Sequence, residues 1–392
     1  MSQATKIEWT DETWNPTRGC SRVSEGCRHC YAERQAARFR GDDDPFHGFA
    51  YSDKAGTHWT GRVELVPEKL DEPLRRRRWA EKFARKHGRR PRVFVNSMSD
   101  LFHEALSNEA IAAIFGVMAA ASWIDFQVLT KRAKRMREWF EWAADAGANL
   151  EFEIGEKPPS GHGEPTICTL CFDSAIGGTP NARAFVDRLV GTKDTRWPLT
   201  NVWLGTSVED QAAAEERIPH LLATPAAVRF VSYEPALEEV EFFRFVSGRR
   251  CNRCHAPMEG AGPCDGSCRC GGLIEVGPKL DWIIIGGESG PGARPFDLTW
   301  ARSTVRQCRE AGVAVFVKQL GARPIMYGSE VRALLDAQHA RDARHSDRIS
   351  ETPSFEWDDS GEQTSARMVL RDRKGGDPSE WPEDLRVREF PK

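Results

Sequence analysis

Apolar runs of strand length recur along this chain with amphipathic, helix-length stretches between them. That alternation constrains the fold more than any other feature, because it is the pattern of a parallel sheet whose strands are joined by crossover helices. Strands are expected near Arg62–Val66, Arg92–Asn96, Phe126–Thr130, Val202–Thr206, Arg229–Ser232, Trp282–Gly286 and Val313–Val317, with a further one before Cys20. Helices are expected at Ala32–Arg40, Asn108–Ala121 with Ser107 as N-cap, Ala133–Ala144, Gln211–Ala223 and Thr299–Ala311. About eight strands in this order predict an α/β fold, a complete or partial (β/α) barrel of the TIM type. A chain of 392 residues can bury the core that such a barrel needs.

The polar residues support this architecture, since they recur at the carboxyl ends of the expected strands, where β/α barrels build their sites. Asn96-Ser97 with Asp100, Thr130-Lys131-Arg132, Thr206-Ser207 with Glu209, Ser232-Tyr233-Glu234-Pro235, Gly286-Gly287-Glu288-Ser289 and Lys318-Gln319 all fall there. Glu209, Glu234 and Glu288 follow three different strands. They are candidates to converge as acid/base groups or as ligands for a cationic substrate group. Lys318 and Arg294 would then bind an anion or balance those carboxylates, and each residue taken alone also reads as an ordinary structural ion pair.

Two segments interrupt the rhythm. Residues 147–180 are rich in Gly, Pro and Thr and contain Cys168 and Cys171; residues 247–278 hold Cys251, Cys254, Cys264, Cys268 and Cys270 among glycines. Both read as Cys-rich insertions into a barrel domain spanning residues 1–321, with a charged C-terminal extension over 322–392. The second insertion offers more thiols than a closed zinc site needs, which suggests a zinc ribbon or knuckle, and Cys168-x2-Cys171 supplies half of another site.

The chain holds eleven cysteines, and no stretch of about 18 apolar residues or signal-peptide pattern accompanies them. A cytoplasmic protein without a membrane partner is therefore expected, and in a reducing compartment cysteines point to metal ligation or catalysis. Cys20-x6-Cys27-x2-Cys30 lies between the first expected strand and the first expected helix. Three thiolates on one loop can bind three irons of a [4Fe–4S] cluster and leave the fourth iron open. The same three can hold zinc, completed by a residue such as His29 or His47. Cys308, isolated on an amphipathic helix, reads as a small core residue.

Net charge is −3 against 55 basic and 58 acidic side chains, so only local patches inform on charged partners. Arg75, Arg76, Arg77 and Arg78 open a densely basic stretch running to Arg92. With Lys131 and Arg132 they are candidates for a nucleic-acid contact, the other reading being a solvated helix face.

The segments IEWTDETWNP, GCSRVSEGCRHCYAE, VFVNSMSDLFH, FQVLTKR, NVWLGTSVEDQ, RFVSYEP, DWIIIGGESGPGARP and VFVKQLG follow one another from about Ile7 to Gly321, with a weaker echo in EWPEDLRVREFP. Through them the chain resembles the phage-encoded three-Cys-motif protein family, which is radical-SAM-like and of unassigned reaction. The resemblance implies a radical-SAM-type partial barrel in which Cys20, Cys27 and Cys30 ligate a [4Fe–4S] cluster and S-adenosylmethionine (SAM) binds the open iron. The first gap departs from the common Cys-x3-Cys-x2-Cys spacing. Under this reading Gly286, Gly287, Glu288, Ser289 and Arg294 are candidates to hold the rest of the cofactor, an electron-donor protein is required, and the substrate is unidentified, with a nucleic-acid base favoured. The alternative is a zinc-stabilised nucleic-acid-binding or adaptor protein without SAM chemistry.

Overall fold

A computed structural model describes residues 5–39, 41–153, 198–251, 274–327, 354–358 and 365–391. Its main sheet has seven strands: β1 (Glu12–Trp14), β2 (Arg92–Val95), β3 (Asp125–Thr130), β4 (Val202–Val208), β5 (Val228–Tyr233), β6 (Trp282–Gly286) and β7 (Ala314–Gln319). Their order in the sheet is their order in the chain, from β1 at one edge to β7 at the other. Successive βα crossovers wound in one direction produce that order, so the expected barrel is present in its partial form. The principal helices are α1 (Tyr31–Ala36), α2 (Arg77–His87), α3 (Asn108–Ala120), α4 (Ala133–Glu153), α5 (Gln211–Ala223) and α6 (Leu298–Ala311). The chain divides into two compact units, one of Met1–Ser207 with Glu216–Phe230, the other of Val208–Glu215 with Val231–Lys392.

In the first unit β1, β2, β3 and β4 pair in parallel, with Trp14 opposite Val95, Val93 opposite Phe126 and Val128 opposite Leu204. Val93, Phe94 and Val95 are buried in succession, as is every residue of β4. Burial without alternation means that both faces of the sheet are covered, which explains why these strands read as continuous apolar runs. Ser107 caps α3, its hydroxyl accepting from the Ala110 N–H at 3.2 Å. Helix α3 then packs on α4 through Phe115 and Trp139, whose rings stack at 4.5 Å.

In the second unit β6 is wholly buried and pairs in parallel with β7. Asp297 caps α6 by accepting from Thr299 N–H at 2.8 Å, and Gly312, at φ +64°, ends it in the left-handed conformation. Part of the region expected as a charged extension lies along β7. Val317 N–H donates to Val387 O at 2.8 Å and Glu389 N–H to Val315 O at 2.9 Å, while Phe390 meets Trp282 at 5.2 Å. A strand at the edge of a sheet has unpaired backbone groups, and this segment satisfies those of β7.

Three further expectations differ from what is observed. The strand read at Arg62–Val66 is shorter, Glu64–Leu65, and pairs antiparallel with Thr17–Arg18 outside the main sheet. Pro67 ends it, and its partner precedes the cysteine loop. The basic run contains α2, a helix given no bounds in the sequence and present there only as the solvated-face reading of this stretch. Helix α4 continues through Glu153 into the first expected insertion; 154–180 lie outside the described residues. Of the second insertion only its closing two-stranded ribbon is described, Arg249–Cys251 antiparallel to Ile274–Val276.

Candidate functional site

The three-cysteine loop leaves the carboxyl end of β1. Gly19 has φ +84°, and a Cβ there would come within 1.9 Å of Arg62 O, so the turn that delivers Cys20 admits only glycine. Gly19 also bridges to Ser99 beyond the end of β2. A short 3-10 turn, Glu25–Cys27, follows, and Cys30 is the N-cap residue of α1, its N–H donating to Cys27 O at 3.3 Å. All three cysteines are free and only partly buried.

Ion pairs fix the loop to its surroundings. Arg22 grips the buried Glu33 with both arms, its Nη2 at 2.6 Å from Oε2, and Glu33 accepts from Trp59 N–H at 2.7 Å. Arg132, only 4% exposed, follows β3 and reaches across to the same loop. It donates to Ser21 Oγ at 2.8 Å and Ser21 O at 3.2 Å, to Asp100 Oδ2 at 3.1 Å and to Glu104 Oε2 at 2.8 Å. Its Nη1 also lies 3.9 Å from Cys20 Sγ. His103 completes the clamp: its Nδ1 accepts from Ala105 N–H, which leaves Nε2 to donate to Ser21 Oγ at 2.8 Å.

Burial is the main electrostatic influence on the thiols. It pushes Cys20 up to about 12, with the Asp100 carboxylate adding to the effect and Arg132 opposing it. Cys30 is raised for the same first reason, and the charge of Cys27 raises it further. The charge of Cys30 in turn raises Cys20, so Cys30 is electrostatically coupled to both other thiols. In the arrangement seen, among the described residues, no three or more His, Cys, Asp or Glu side chains are gathered as a metal-holding group. The donor set is nonetheless the one a cluster takes: three soft sulfur atoms on one anchored loop.

Beside this loop, the turn after β2 carries an unusual residue. Asn96 is in the left-handed conformation, φ +62°, and 2% exposed. Its backbone N–H donates to Trp14 O at 2.8 Å, yet neither Oδ1 nor Nδ2 of its side chain has a partner among the described residues. An unsatisfied buried amide costs about 1–3 kcal/mol, and such residues accumulate where a ligand supplies the missing partner. The rest of the turn is well tied. Asn15 Oδ1 accepts from Ser97 Oγ at 3.2 Å and Met98 N–H at 3.1 Å; Thr17 and Ser99 hydroxyls meet at 2.8 Å; Asp100 accepts from Thr130 Oγ1 at 2.7 Å.

The remaining strand-end candidates belong to the second unit. Lys318 Nζ lies 2.6 Å from Glu234 Oε2, joining the end of β7 to the residue after β5. Gly286 makes room for this pair, because a Cβ there would sit 2.8 Å from Glu234 Oε2. Gly287 is required by packing, since its Cβ would lie 2.5 Å from Leu320 O. Glu288 is held by Arg294 through Nη2 to Oε1 at 2.9 Å and Nε to Oε2 at 3.1 Å, and accepts from Arg294 N–H at 2.9 Å. Arg294 therefore balances Glu288 rather than presenting a free cation. Glu209 is fully buried after β4, and Ser289 follows Glu288 half-buried.

The basic candidates separate by partner. Arg75 pairs with Asp71 at 2.8 Å, Arg76 with Glu12, and Arg77 with Glu81 at 2.9 Å, while Arg78 is exposed and Lys131 half-buried. Arg132, committed to the clamp, has no surface for a phosphate. Cys168, Cys171, Cys254, Cys264, Cys268 and Cys270 lie outside the described residues; Cys251 ends a short strand. Cys308 is buried in α6, as expected. Among the described residues no helix is long and apolar enough to cross a membrane. Sequence reading missed Ser21, Glu33 and His103, since nothing in their spacing marks them as partners of residues 11 to 111 positions away.

A family model described as "Protein of unknown function (DUF5131)" matches residues 4–353. No curated protein matches the chain. Among solved structures, spore photoproduct lyase complexed with dinucleoside spore photoproduct aligns over 98% of this chain and 75% of its own, at 9% identity and a TM-score of 0.35. A variant of that lyase with bound AdoMet and dinucleoside spore photoproduct aligns with the same coverage at 10% identity and a TM-score of 0.34.

Proposed function

We propose that this chain, which belongs to the DUF5131 family, is a radical-SAM-like iron–sulfur enzyme that modifies a substrate still to be identified. Cys20, Cys27 and Cys30 would hold a [4Fe–4S] cluster, and SAM would bind its open iron. The observation that carries the reading is three free thiols on an anchored loop at a strand end, bridged through Gly19 and Ser99 to the turn that carries the buried, unpartnered amide of Asn96. The ordered motifs shared with the three-Cys-motif proteins point the same way. When bound, the cluster and SAM supply reductive cleavage of a sulfonium, with the electron coming from a separate donor protein.

The protein's own residues have definable tasks in this scheme. Arg22–Glu33 and the Arg132 clamp hold the loop in place before any cluster is bound. Arg132 directs an N–H toward Cys20, which favours the sulfur carrying charge. Asn96 offers one donor and one acceptor to the polar end of a bound molecule. In the second unit Glu234, paired with Lys318, and Glu288, paired with Arg294, are the proposed polar residues for proton transfer or substrate binding, and Gly286 gives Glu234 its position.

Anaerobic reconstitution with iron and sulfide tests the reading. About four irons and four sulfides per chain are expected, and reduction with SAM present should release 5′-deoxyadenosine. Replacing any of Cys20, Cys27 or Cys30 with Ser should abolish that release. Zinc without iron in protein purified anaerobically, or a full cluster that leaves SAM intact, would overturn it.

A further inference from the structure

The basic run changes its meaning once ion pairs are assigned. Five of its arginines are neutralised by carboxylates: Arg75 by Asp71, Arg76 by Glu12, Arg77 by Glu81, Arg89 by Asp11 and Arg90 by Asp125. Four other cations are not. Arg78, Lys82, Arg85 and Lys86 are exposed on α2, and none has a hydrogen-bond or ion-pair partner among the described residues.

Their positions follow the i, i+4, i+7, i+8 spacing, which places all four on one side of the helix. Ala80, on the far side of the helix, is fully buried, while Trp79 and Phe83 lie along its flank, half-buried, and meet at 5.9 Å; the Arg76 guanidinium lies 4.0 Å above the Trp79 ring. The cationic side is therefore fixed outward on a rigid element. At 1.5 Å of rise per residue the four charges span about 12 Å. Four phosphates of one nucleic-acid strand, at about 3.4 Å each, span a similar length.

We propose that the outward face of α2 is a nucleic-acid-binding surface on which Arg78, Lys82, Arg85 and Lys86 contact successive phosphates of one strand. A membrane is the poorer fit, because a helix lying in a lipid interface inserts an apolar face, and here Ala80 is buried in the protein while Trp79 and Phe83 are half-buried and in contact with each other and with Arg76 and Arg89. The contact reads charge and not sequence, so it positions a polymer without selecting a base. This goes beyond the cluster chemistry and does not depend on it.

The test is fluorescence anisotropy of the full-length chain, purified anaerobically, with labelled single-stranded and duplex oligonucleotides of mixed sequence. Four phosphate contacts predict that raising salt from about 50 to 200 mM weakens binding about 50-fold for a single strand and 150-fold for a duplex. Neutralising the face (R78Q, K82Q, R85Q and K86Q together) keeps helix propensity nearly constant and should remove most of both the affinity and the salt dependence. Helical circular dichroism and the melting midpoint report that the variant folds. A control that neutralises four other exposed cations (R306Q, R309Q, R373Q and K374Q) should bind like the parent. Three results would overturn the proposal: no binding by the parent at low salt, equal loss in the control, or displacement by polyglutamate as effective as by unlabelled oligonucleotide.

Discussion

Replacing Arg132 with Met should test whether the cysteine loop is held by a buried charge clamp. Methionine keeps most of the stem's volume and removes the guanidinium. Arg132 and Asp100 are 4% and 8% exposed, so the substitution leaves a carboxylate buried without its cation. Breaking a buried pair in this way costs about 3–5 kcal/mol. Asp100 would keep three neutral donors, Thr130 Oγ1 at 2.7 Å, Phe102 N–H at 3.0 Å and Lys131 N–H at 3.1 Å, which places the expected loss near the lower limit, about 3 kcal/mol. Glu104 adds little, because it is 63% exposed and water replaces its partner. Urea unfolding of the R132M, D100N and doubly substituted chains gives the coupling between the two residues, expected at about 1–3 kcal/mol. A second measurement reports on the site itself. Without the hydrogen bonds to Ser21 the loop loses its tie to β3, so amide hydrogen exchange across residues 20–30 of the metal-free protein, read by mass spectrometry, should accelerate. Destabilisation below about 1 kcal/mol together with unchanged exchange of that loop would refute the clamp.

Three other perturbations have expected outcomes. A Cβ at Gly205 would sit 2.6 Å from the Phe230 ring, so Gly205→Ala should overpack the first unit by about 1–3 kcal/mol and lower the melting temperature; an unchanged midpoint would show that the sheet there yields. At Asp11 burial favours the neutral form, but hydrogen bonds from Arg89 and from Arg92 N–H outweigh it and hold the carboxyl below its ordinary value. The stabilisation is then complete above the unfolded value of about 3.9 and is lost as pH falls through the lower folded value; the stability gap between parent and Asp11→Asn should be flat from about pH 5 to 8 and shrink below about 4, and a gap that widens toward acid would contradict the assignment. Gly286→Ala should push Glu234 off Lys318 while sparing the core, so 5′-deoxyadenosine release that slows with an unchanged melting midpoint would mark that pair as functional, and an unchanged rate would remove it from the proposed site.

The sheet was legible because its strands are buried on both faces. Runs such as Trp282–Gly286 and Val202–Thr206 are short, continuous and set between helix-length stretches, and the capping residue Ser107 stands where a helix begins. Helix α2 was not legible in the same way. Its inner face is little more than Trp79, Ala80 and Phe83, and eleven residues rich in arginine and lysine read as a charge run until a partner surface is known. Whether a cation is spent or free depends on carboxylates as distant as Glu12 and Asp125. Short-range spacing contains no trace of them.

The candidate site divides along the same line. The cysteine spacing and the polar strand ends are local patterns, so Cys20, Cys27, Cys30, Glu234 and Lys318 could be singled out directly. The partners could not, and partners decide roles. For Arg294 the sequence allowed either an anion-binding cation or a partner that balances a carboxylate, and the glycine-containing turn, with Gly290 and Gly292 at positive φ, folds Glu288 and Arg294 into one ion pair. Arg132 looked like a phosphate ligand and is instead a buried brace. Asn96 makes the converse case. As a polar residue after a strand it was one of many, and only its left-handed backbone, full burial and two empty hydrogen-bonding positions separate it from them. A fold that bears both the backbone strain and the unsatisfied amide at one residue, on the turn bridged to the three-cysteine loop, has kept an arrangement that a simple turn would not need. Asn96→Gly, which tolerates the left-handed backbone that alanine would strain, should therefore change the chain's stability little, because it removes an unsatisfied group, while weakening SAM binding measured by calorimetry on the reconstituted protein. If the substitution destabilises the chain and leaves SAM binding intact, the amide is structural, and the site must find its ligand contacts elsewhere on the strand ends.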